Sequence, residues 1–474
     1  MLAAVLLAGF AWSATLYALA PTDVFYTGDA GLKSLLIEQL ARGQVQPQLA
    51  LDVAPWVRTL WDEGYQPFGP PFMYDAPAAN TLSFPIYFSL LCAPFQALAG
   101  PRGALLVPLL ALWGVWLQVW RLSRLRALSP WQTNAALAIV VLASPLTLYG
   151  AILWEHTLGV LLFTFALEAL CTTPRAWLGF VAGLGVAVRS ELYIPLALVT
   201  VALAFPRPKR ALPFACGLAA SVLLVWGSNY ALYGMPLGLH GTQVLDAQDD
   251  TPLLRRVLER ALSMDRKLLW TVPATALALY VGVRKREGFA GRALLVLLLS
   301  LLVIPLVVPN DGIRQIGARY YLCLVPLIAL LAVDDLHTRW QPFAWALVVL
   351  LGVRFDVLRS SHELVRDYRN DRDPALTALR MAPQEVIVVE RQETAHELAS
   401  LFADKHVLRA DDTQQLGTLS DRLHEQGQSS FLLVRFQRDP SKIDDALTTP
   451  AGRSVGLVEA RTVGAFALRE MQAR

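Results

Sequence analysis

An aspartate follows directly on the apolar N-terminal segment, in the stretch FYTGDAGLKSLL at residues 25–36. Asp29 is followed four residues later by Lys33, so the two side chains share one face if the stretch is helical. A carboxylate can take a proton from a hydroxyl group, and an ammonium group can hold a phosphate. The neighbouring Gly28 and Gly31 would let a substrate approach the backbone. The simpler alternative is that the aspartate caps the helix that follows.

Four further stretches carry polar residues that could take part in the same chemistry. They supply carboxylates that can accept a proton, and arginine or histidine groups that can hold a phosphate. Each adjoins the end of an apolar segment, where polar groups are expensive and usually functional. They are Asp75 in MYDAPAAN, Glu155 and His156 in WEHT, Arg189 and Glu191 in VRSELY, and Arg319 and Tyr320 in GARYYL.

Each stretch also has a purely structural interpretation. MYDAPAAN fits an Asx-turn before a proline, whereas WEHT and VRSELY fit local hydrogen bonds or ion pairs. GARYYL fits an interfacial anchor, in which arginine reaches the headgroups and tyrosine joins the aromatic belt. The functional interpretation is favoured because the topology predicted below places all five stretches on one face. Independent structural features would be scattered over both faces.

Composition indicates the class of protein that must position these residues. Of the 474 residues, 55% are hydrophobic and 17% are charged, whereas soluble domains are about 25% charged. The chain is therefore predicted to be a polytopic membrane protein. Its formal net charge of +3 is small and scattered, which argues against a nucleic-acid partner. Neither a disulfide framework nor a thiolate metal site is predicted, because no C-x-x-C spacing connects Cys92, Cys171, Cys216 and Cys323.

Apolar runs near the length that crosses a bilayer, about 17 to 25 residues, predict about eleven transmembrane spans. The first run lacks the basic start and the cleavage site of a signal peptide, so we interpret it as a retained helix. The predicted spans are 1–20, 103–120, 134–150, 153–171, 177–189, 191–206, 211–229, 267–283, 290–308, 318–333 and 341–354.

Basic residues set the predicted orientation. The clusters at 121–126, 175, 207–210 and 284–292 all fall on one side in this count, and the positive-inside rule makes that side the cytoplasm. The polar stretches and the C-terminus are then extracytoplasmic. The count requires that residues 82–98 do not cross. Because Pro85 and Pro94 each remove a helical hydrogen bond, we predict a re-entrant or interfacial helix there.

The predicted fold class is mainly α, with two domains. Residues 1–355 form the transmembrane domain, including an outer loop at 21–102 whose amphipathic helix, 29–42, lies against the membrane. Residues 356–474 form a small soluble α/β domain. Its predicted strands are EVIVV at 385–389, KHVLRA at 405–410 and SFLLVRF at 430–436, with helices near 393–403 and 412–425. No glycine-rich phosphate loop is present, so no nucleotide is expected.

These features together resemble the GT-C superfamily of integral membrane glycosyltransferases, which includes protein O-mannosyltransferases and lipid A aminoarabinose transferases. The resemblance covers roughly residues 1–355, and the tail resembles small extracytoplasmic domains that some bacterial members carry. It therefore implies a bacterial inner (plasma) membrane. The features that carry it are Asp29 after the first span, the long outer loop, SFPIYFSLL, WEHT, the R-x-E of VRSELY, N-Y-x-x-Y-G-x-P at 229–236 and the late G-x-R-Y-Y.

The resemblance implies transfer of a hexose or pentose from a polyprenyl-phosphate donor to an acceptor hydroxyl, with inversion, at the outer membrane surface. Asp29 would be the general base, and Asp75 would orient the acceptor or bind a divalent metal. The charge of the leaving phosphate must be held by cations. The residues implied for phosphate binding are Lys33, His156, Arg189, Arg319 and Tyr320, with Glu155 and Glu191 supporting them.

The sequence departs from the family pattern at two points. Many members have paired acids after the first span, whereas Asp29 is followed by Ala30, which weakens the case for a metal site. In place of His-Pro-Pro the chain has Phe84 and Pro85, so the sugar and the acceptor are not implied. A transporter or flippase of a lipid or lipid-linked sugar is the alternative, and a non-catalytic scaffold is a third. The scarcity of charged residues in mid-span favours the enzyme.

Overall fold

The computed structural model describes the chain except for residues 1, 26–27, 76–79, 206, 242–252, 309–316, 335–340, 440, 442 and 474. Most of the described residues are helical. The chain divides into two compact units. The first unit is Met1–Leu19 with Ser83–Glu363, and the second unit is Ala20–Leu82 with Leu364–Arg474.

The described α-helices and strands follow in chain order. The helices are α1 (Leu2–Leu19), α2 (Gly28–Ala41), α3 (Pro55–Leu60), α4 (Ile86–Ala99), α5 (Pro101–Ala104), α6 (Leu106–Leu125), α7 (Pro130–Leu142), α8 (Leu146–Tyr149), α9 (His156–Cys171), α10 (Ala176–Gly183), α11 (Gly185–Val188), α12 (Tyr193–Ala204), α13 (Pro208–Tyr233), α14 (Leu253–Thr271), α15 (Ala274–Arg284), α16 (Gly288–Val307), α17 (Val325–Ala332), α18 (Gln341–Gly352), α19 (Ser361–Arg366), α20 (Asp373–Met381), α21 (Gln392–Glu397) and α22 (Thr413–Glu425). The strands are β1 (Met73–Tyr74), β2 (Thr81–Leu82), β3 (Val386–Val389), β4 (His406–Arg409), β5 (Ser430–Phe436), β6 (Ala446–Thr448), β7 (Ser454–Val463) and β8 (Phe466–Ala473).

Short turns of other helix types join several of these elements. Segments Ser190–Leu192, Arg319–Leu324 and Ala399–Leu401 are 3₁₀-helical, whereas Trp61–Tyr65, Val353–Ser360 and Asp367–Arg372 are π-helical. Two of the polar stretches, VRSELY and GARYYL, therefore lie on tight helical turns just before longer helices.

The first unit is a bundle of apolar helices that pack closely. In the pair α10 and α13, a Cβ atom on Gly217 would lie 1.8 Å from the carbonyl oxygen of Ala176, so only glycine permits this separation. Such close approach at small residues is typical of helix pairs in membranes. At the start of α7, Ser129 and Gln132 form a capping box, which satisfies backbone groups that would otherwise lack partners.

Three helices in the described part of the chain are long and apolar enough to cross a bilayer: Pro101–Leu125, Pro208–Tyr233 and Gly288–Val307. Eight shorter apolar helices of 10–17 residues accompany them. The predicted count of eleven spans is not confirmed. One physical reason is that several predicted spans are broken. The predicted span 267–283, for example, is divided at Pro273 between α14 and α15.

Charged side chains at the ends of several helices in the first unit pair with one another. Arg121 Nη2 lies 2.7 Å from Glu168 Oε1, and Arg126 forms an ion pair with Asp334. Lys285 Nζ donates to the backbone oxygen of Asp334 at 2.8 Å. Several of the basic residues on which the predicted orientation rests thus have acidic or carbonyl partners.

The second unit contains a six-stranded mixed sheet in the order β4-β3-β5-β8-β7-β6. Strand β3 pairs in parallel with both β4 and β5, and all four of its residues are buried. A strand covered on both faces reads as an unbroken apolar run, which explains why EVIVV was recognisable. The three predicted strands are confirmed, and so is the helix predicted at 412–425, which Asp412 caps by accepting from the backbone N–H of Gln415 at 2.8 Å. Strands β6, β7 and β8 were not predicted.

Most of the predicted outer loop, residues 21–82 of 21–102, belongs to the second unit, and residues 83–102 belong to the first. Helix α2 packs on α21, and a Cβ on Gly31 would lie 2.0 Å from the carbonyl oxygen of His396. The indole of Trp61 donates to the carbonyl oxygen of Val407 at 3.1 Å. Gly31 is therefore required by the approach of α21, and this overturns the expectation that its missing side chain makes room for a substrate.

Helix α2 also differs from its predicted amphipathic character. Its apolar residues are buried on several faces, with Ala30, Leu32, Ile37 and Leu40 all no more than 6% exposed. Because the tail covers these side chains, the helix has no single apolar stripe of the kind expected to lie against a membrane.

The buried His396 provides a test of this packing. Its ring lies 4.6 Å from that of Phe72 and 5.5 Å from that of Phe68, and its Nε2 has no hydrogen-bond partner among the described residues. Burial lowers the pKa of His396 to about 3. In the unfolded chain the imidazole takes up a proton near pH 6.5. Between these values the unfolded state binds more protons, so acidification destabilises the fold by at most about 1.4 kcal/mol per pH unit.

We therefore expect the second unit to lose stability as the pH falls from 7 to 4, and His396→Leu to weaken that dependence. The measurement is the thermal midpoint at which residues after 364 become sensitive to protease in the purified protein. His424 is exposed, so His424→Leu is the matched control and should retain the wild-type slope. An unchanged slope in His396→Leu would show that this histidine does not govern the acid response.

Candidate active site

The first unit brings together three of the polar stretches. WEHT reaches the site at the start of α9, VRSELY follows α11, and GARYYL forms the 3₁₀ turn before α17. A common opening is lined by His156, Gly159, Val160, Arg189, Glu191, Leu192, Arg319, Tyr320, Leu322 and Cys323. Helix packing thus brings Arg319 next to His156 and Arg189, which lie more than 100 positions earlier in the chain.

Arg189 lies at the centre of this cluster and joins two carboxylates. Its Nη1 lies 3.0 Å from Glu155 Oε1, and its Nε donates to Glu191 Oε1 at 2.6 Å. The arginine side chain is 12% exposed and both glutamate side chains are 8% exposed. One guanidinium and two carboxylates leave a net negative charge, and buried ion pairs of this kind are stable only with such close geometry. The structure therefore shows Arg189 in an ion-pair network that includes the predicted local pair with Glu191.

Tyr320 links the network to the second arginine of the site. Arg319 Nη2 donates to Tyr320 Oη at 2.7 Å, and its Cζ lies 4.6 Å from the centroid of the tyrosine ring. The Cζ of Arg189 lies 5.8 Å from the same centroid. Both distances are within the range of cation–π attraction. The ring therefore holds two guanidinium groups at one place in the site.

His156 is held by aromatic rings at the N-terminus of α9. The imidazole is 4% exposed, and its centroid lies 4.9 Å from the ring of Tyr149 and 4.9 Å from that of Trp154. The two aromatic rings hold the imidazole ring of His156 in one orientation, which sets the directions in which its nitrogens can bind a ligand. Trp154 is part of the WEHT motif, whereas Tyr149 gave no sequence signal because it lies in the preceding apolar run.

The opening itself is narrow. Its volume of about 10 Å³ is near the minimum that holds one water molecule. A phosphate group is larger, so a ligand would enter only if a lining side chain moved. Gly159 contributes to the shape because the side chain of Arg189 passes over it, with Cγ 3.0 Å from the position of a Cβ. Gly159 and Cys323 line the opening but were not predicted, since neither carries a charge.

The other predicted residues lie in the second unit. Asp29 is in the first turn of α2 and is partly exposed, and Lys33 is one turn further along and 5% exposed. An acidic group in the first turn of a helix is stabilised by the helix dipole. This placement agrees with the alternative of a residue that stabilises the helix start, and it leaves the carboxylate accessible for chemistry.

Asp75 has the geometry of a turn residue. Its side chain is exposed, and its Oδ1 accepts from the backbone N–H of Asn80 at 3.5 Å. No group of three His, Cys, Asp or Glu that could hold a metal ion occurs among the described residues. Among the described residues, Asp75 is therefore not part of a group that could hold a metal ion, and we assign no reaction step to a metal.

The N-Y-x-x-Y-G-x-P motif secures the start of α4. Tyr87 donates its hydroxyl to Asn229 Oδ1 at 2.8 Å, and Asn229 Nδ2 donates to the carbonyl oxygen of Pro236 at 3.0 Å. The hydroxyl of Tyr233 accepts from the backbone N–H of Ile86 at 3.2 Å. The motif therefore has a structural role, which is to fasten the proline-bearing segment to the C-terminal end of α13.

Replacing Asn229 by leucine should destabilise the first unit, because it removes both hydrogen bonds and leaves a tyrosine hydroxyl without its acceptor. The expected loss is about 1–3 kcal/mol, seen as a lower thermal unfolding midpoint of the purified protein. Tyr230→Phe is the neighbouring control, since that side chain is 64% exposed. Equal midpoints for the two variants would contradict the fastening role.

Solved structures of other proteins share the fold of this chain at low sequence identity. No protein-family model matches the chain, and no curated protein matches it in sequence. ArnT from Cupriavidus metallidurans, bound to undecaprenyl phosphate, is similar with a TM-score of 0.57 and 10% identity, over 99% of this chain and 98% of that chain. The oligosaccharyltransferase AglB from Archaeoglobus fulgidus, in complex with an inhibitory peptide and a dolichol-phosphate, is also similar. Its TM-score is 0.55 and its sequence identity is 13%, over 91% of this chain and 69% of that chain.

A third structure is the Archaeoglobus fulgidus oligosaccharyltransferase in complex with Zn and sulfate, with a TM-score of 0.52 and 15% identity, over 90% of this chain and 67% of that chain. Identities this low establish the fold alone. The GT-C resemblance indicated by the sequence motifs is confirmed at that level, and the chain has the fold of these glycosyltransferases.

Proposed function

We propose that the protein is a membrane glycosyltransferase that moves a sugar from a polyprenyl-phosphate donor to an acceptor hydroxyl, with inversion, on the extracytoplasmic face. The observation that carries the proposal is the largely buried cluster of Arg189, Arg319, Tyr320 and His156, in a fold shared with a protein that was solved bound to undecaprenyl phosphate. Because Glu155 and Glu191 are paired with Arg189, the guanidinium of Arg319 and the aromatic rings at this opening are the groups that suit a phosphate joined to a sugar.

The proposed reaction needs one base and no acid. Asp29 takes the proton of the acceptor hydroxyl, whose oxygen attacks the anomeric carbon from the side opposite the phosphate. The bond from the anomeric carbon to the phosphate oxygen breaks, and its electron pair stays with the polyprenyl phosphate. Because the phosphate gains a negative charge in this step, a cation beside it stabilises the transition state more than the bound donor.

The geometry leads us to divide the roles of the two arginines. Arg189 is paired with Glu155 and Glu191, so we propose that it positions these groups and the ring of Tyr320. Arg319 and His156 are proposed to contact the donor phosphate, with Lys33 as a further cation. Asp75 is proposed to orient the acceptor through its loop.

We propose that this chemistry takes place at the extracytoplasmic face of the bacterial inner membrane. The first unit would cross the bacterial inner membrane with about eleven spans and a re-entrant α4, and the second unit would be extracytoplasmic. The dolichol-phosphate and undecaprenyl phosphate in the similar structures support a polyprenyl-phosphate donor here. The acceptor class, whether protein, lipid or polysaccharide, is not assigned.

Mass spectrometry of lipids that co-purify with the protein tests the donor class. We expect a polyprenyl phosphate, free or joined to a sugar, to be retained by the wild type and depleted severalfold in Arg319→Gln. Arg102→Gln is the matched control because Arg102 is exposed and bonds only to backbone oxygens among its described partners. Retention of phospholipids alone by the wild type, after gentle extraction, would contradict the proposed donor.

A further inference from the structure

Helix α14 presents three different faces along its length. One face packs into the first unit through Met264 and Leu268, which are 0% and 2% exposed. A second face carries exposed leucines, and a third carries exposed charged residues. A helix that contacts only protein and water is apolar toward the protein and polar toward the water. The exposed leucines of α14 therefore indicate a third environment.

The exposed apolar face is a regular stripe. Leu254, Leu258 and Leu262 recur every four residues and are 81%, 56% and 64% exposed, and Leu269 continues the stripe at 45%. Residues at this spacing lie one above another on a helix. Isolated exposed leucines are common, but a contiguous stripe marks a surface that something apolar covers.

The charges on the helix exclude a crossing orientation and favour an anionic partner. Seven of its 19 residues are charged, which is far too many for a helix buried in hydrocarbon. Arg255 and Glu259 are exposed and pair with each other at 2.8 Å, beside the leucine stripe. The basic residues outnumber the acidic ones by five to two, being Arg255, Arg256, Arg260, Arg266 and Lys267 against Glu259 and Asp265. Lipid headgroup layers attract helices with this composition.

The helix is fastened at the end of a membrane-length helix. Arg260 Nη1 donates to the carbonyl oxygen of Val308 at 2.7 Å, and Val308 directly follows α16, one of the helices long enough to cross a bilayer. The end of such a helix lies at the depth of the headgroups. Trp270, near the other end of α14, is 58% exposed, as expected of a residue in the aromatic belt.

We propose that α14 docks on the anionic phospholipid surface of the membrane that holds this protein. The leucine stripe lies among the upper acyl chains, and the exposed basic residues Arg255 and Arg266 meet the headgroup phosphates. Thr271, the last residue of α14, lies against Gly317, two residues before Arg319. The docked helix therefore anchors the segment that carries Arg319 at the depth of lipid phosphates.

Site-specific photocrosslinking tests this assignment in the full chain. p-Benzoylphenylalanine replaces Leu258 on the stripe, Arg266 on the charged face or, as the lipid-facing reference, Leu223 of α13, which is 63% exposed. The protein is placed in nanodiscs that contain equal amounts of phosphatidylglycerol and phosphatidylcholine. After illumination, the mass of each adduct is measured.

We expect phospholipid adducts on the acyl chains at position 258, in a yield near that at 223, whereas the adducts at 266 should be severalfold fewer and attached to the headgroup. Phosphatidylglycerol should predominate among the adducts at 258. A polypeptide adduct at 258, or no adduct there while position 223 reacts, would overturn the docking. Equal capture of the two lipids at 258 would overturn the anionic preference. The experiment requires no turnover, so its outcome is independent of the proposed reaction.

Discussion

Replacing Arg319 by alanine should lower kcat for sugar transfer by about 100- to 1,000-fold, the usual effect of removing one group that stabilises developing negative charge. The donor phosphate carries one negative charge, and the leaving polyprenyl phosphate gains a second as the bond breaks. Arg319 donates to the hydroxyl of Tyr320, whereas Arg189 contacts two carboxylates. The measurement is turnover of labelled donor by purified protein at saturating donor.

Two further variants separate this role from a structural one. Tyr320→Phe keeps the ring but removes the acceptor of the Arg319 hydrogen bond, so its effect should be about tenfold or less. Arg102→Gln removes one positive charge from an exposed position and should leave kcat near the wild-type value. A fully active Arg319→Ala protein would show that the leaving phosphate is stabilised elsewhere.

Replacing Asp29 by asparagine should lower kcat by about 100- to 10,000-fold, the range attributed to general acid–base catalysis. Asparagine is nearly the same size but cannot take the proton of the acceptor hydroxyl. The structural alternative predicts a different result. A first-turn acid contributes about 0.3–1 kcal/mol through the helix dipole, so a purely structural Asp29 would change the unfolding midpoint slightly and kcat hardly at all.

Both quantities should therefore be measured on the same preparations. Asp52→Asn is the matched control, since Asp52 is an exposed aspartate of the same unit. Asp29→Glu keeps the carboxylate and should recover part of the activity. If Asp29→Asn is folded and transfers sugar at the wild-type rate, the base is another group.

Arg189 forms one ion pair that the sequence predicts and one that it does not. The R-x-E spacing indicated its pairing with Glu191, because two residues on one tight turn can meet without further folding. The contact with Glu155 spans 34 positions and depends on how α9 packs beside α11. No local pattern contains that information, and this contact is the reason that we propose a positioning role for Arg189 in place of the phosphate-binding role that the resemblance implied.

Hydrophobicity indicated that α2 is covered but not which surface covers it. Its leucines suggested a membrane contact, whereas the structure packs it on α21 in the C-terminal part of the chain. Hydrophobicity also failed to indicate where α14 ends. The apolar run at 267–283 was predicted as one span, whereas the structure divides it at Pro273. Strand β7 was not predicted because it is largely exposed and lacks the apolar run that identified β3.

The most direct test of the proposed transfer uses a donor labelled at two atoms, ³H in the sugar and ³²P in the phosphate, with the purified protein in sealed vesicles. We expect the two labels to separate in equal amounts, with ³²P recovered as free polyprenyl phosphate and ³H on an acceptor. If both labels stay on one lipid molecule while that molecule crosses the bilayer, the protein is a transporter and not a glycosyltransferase.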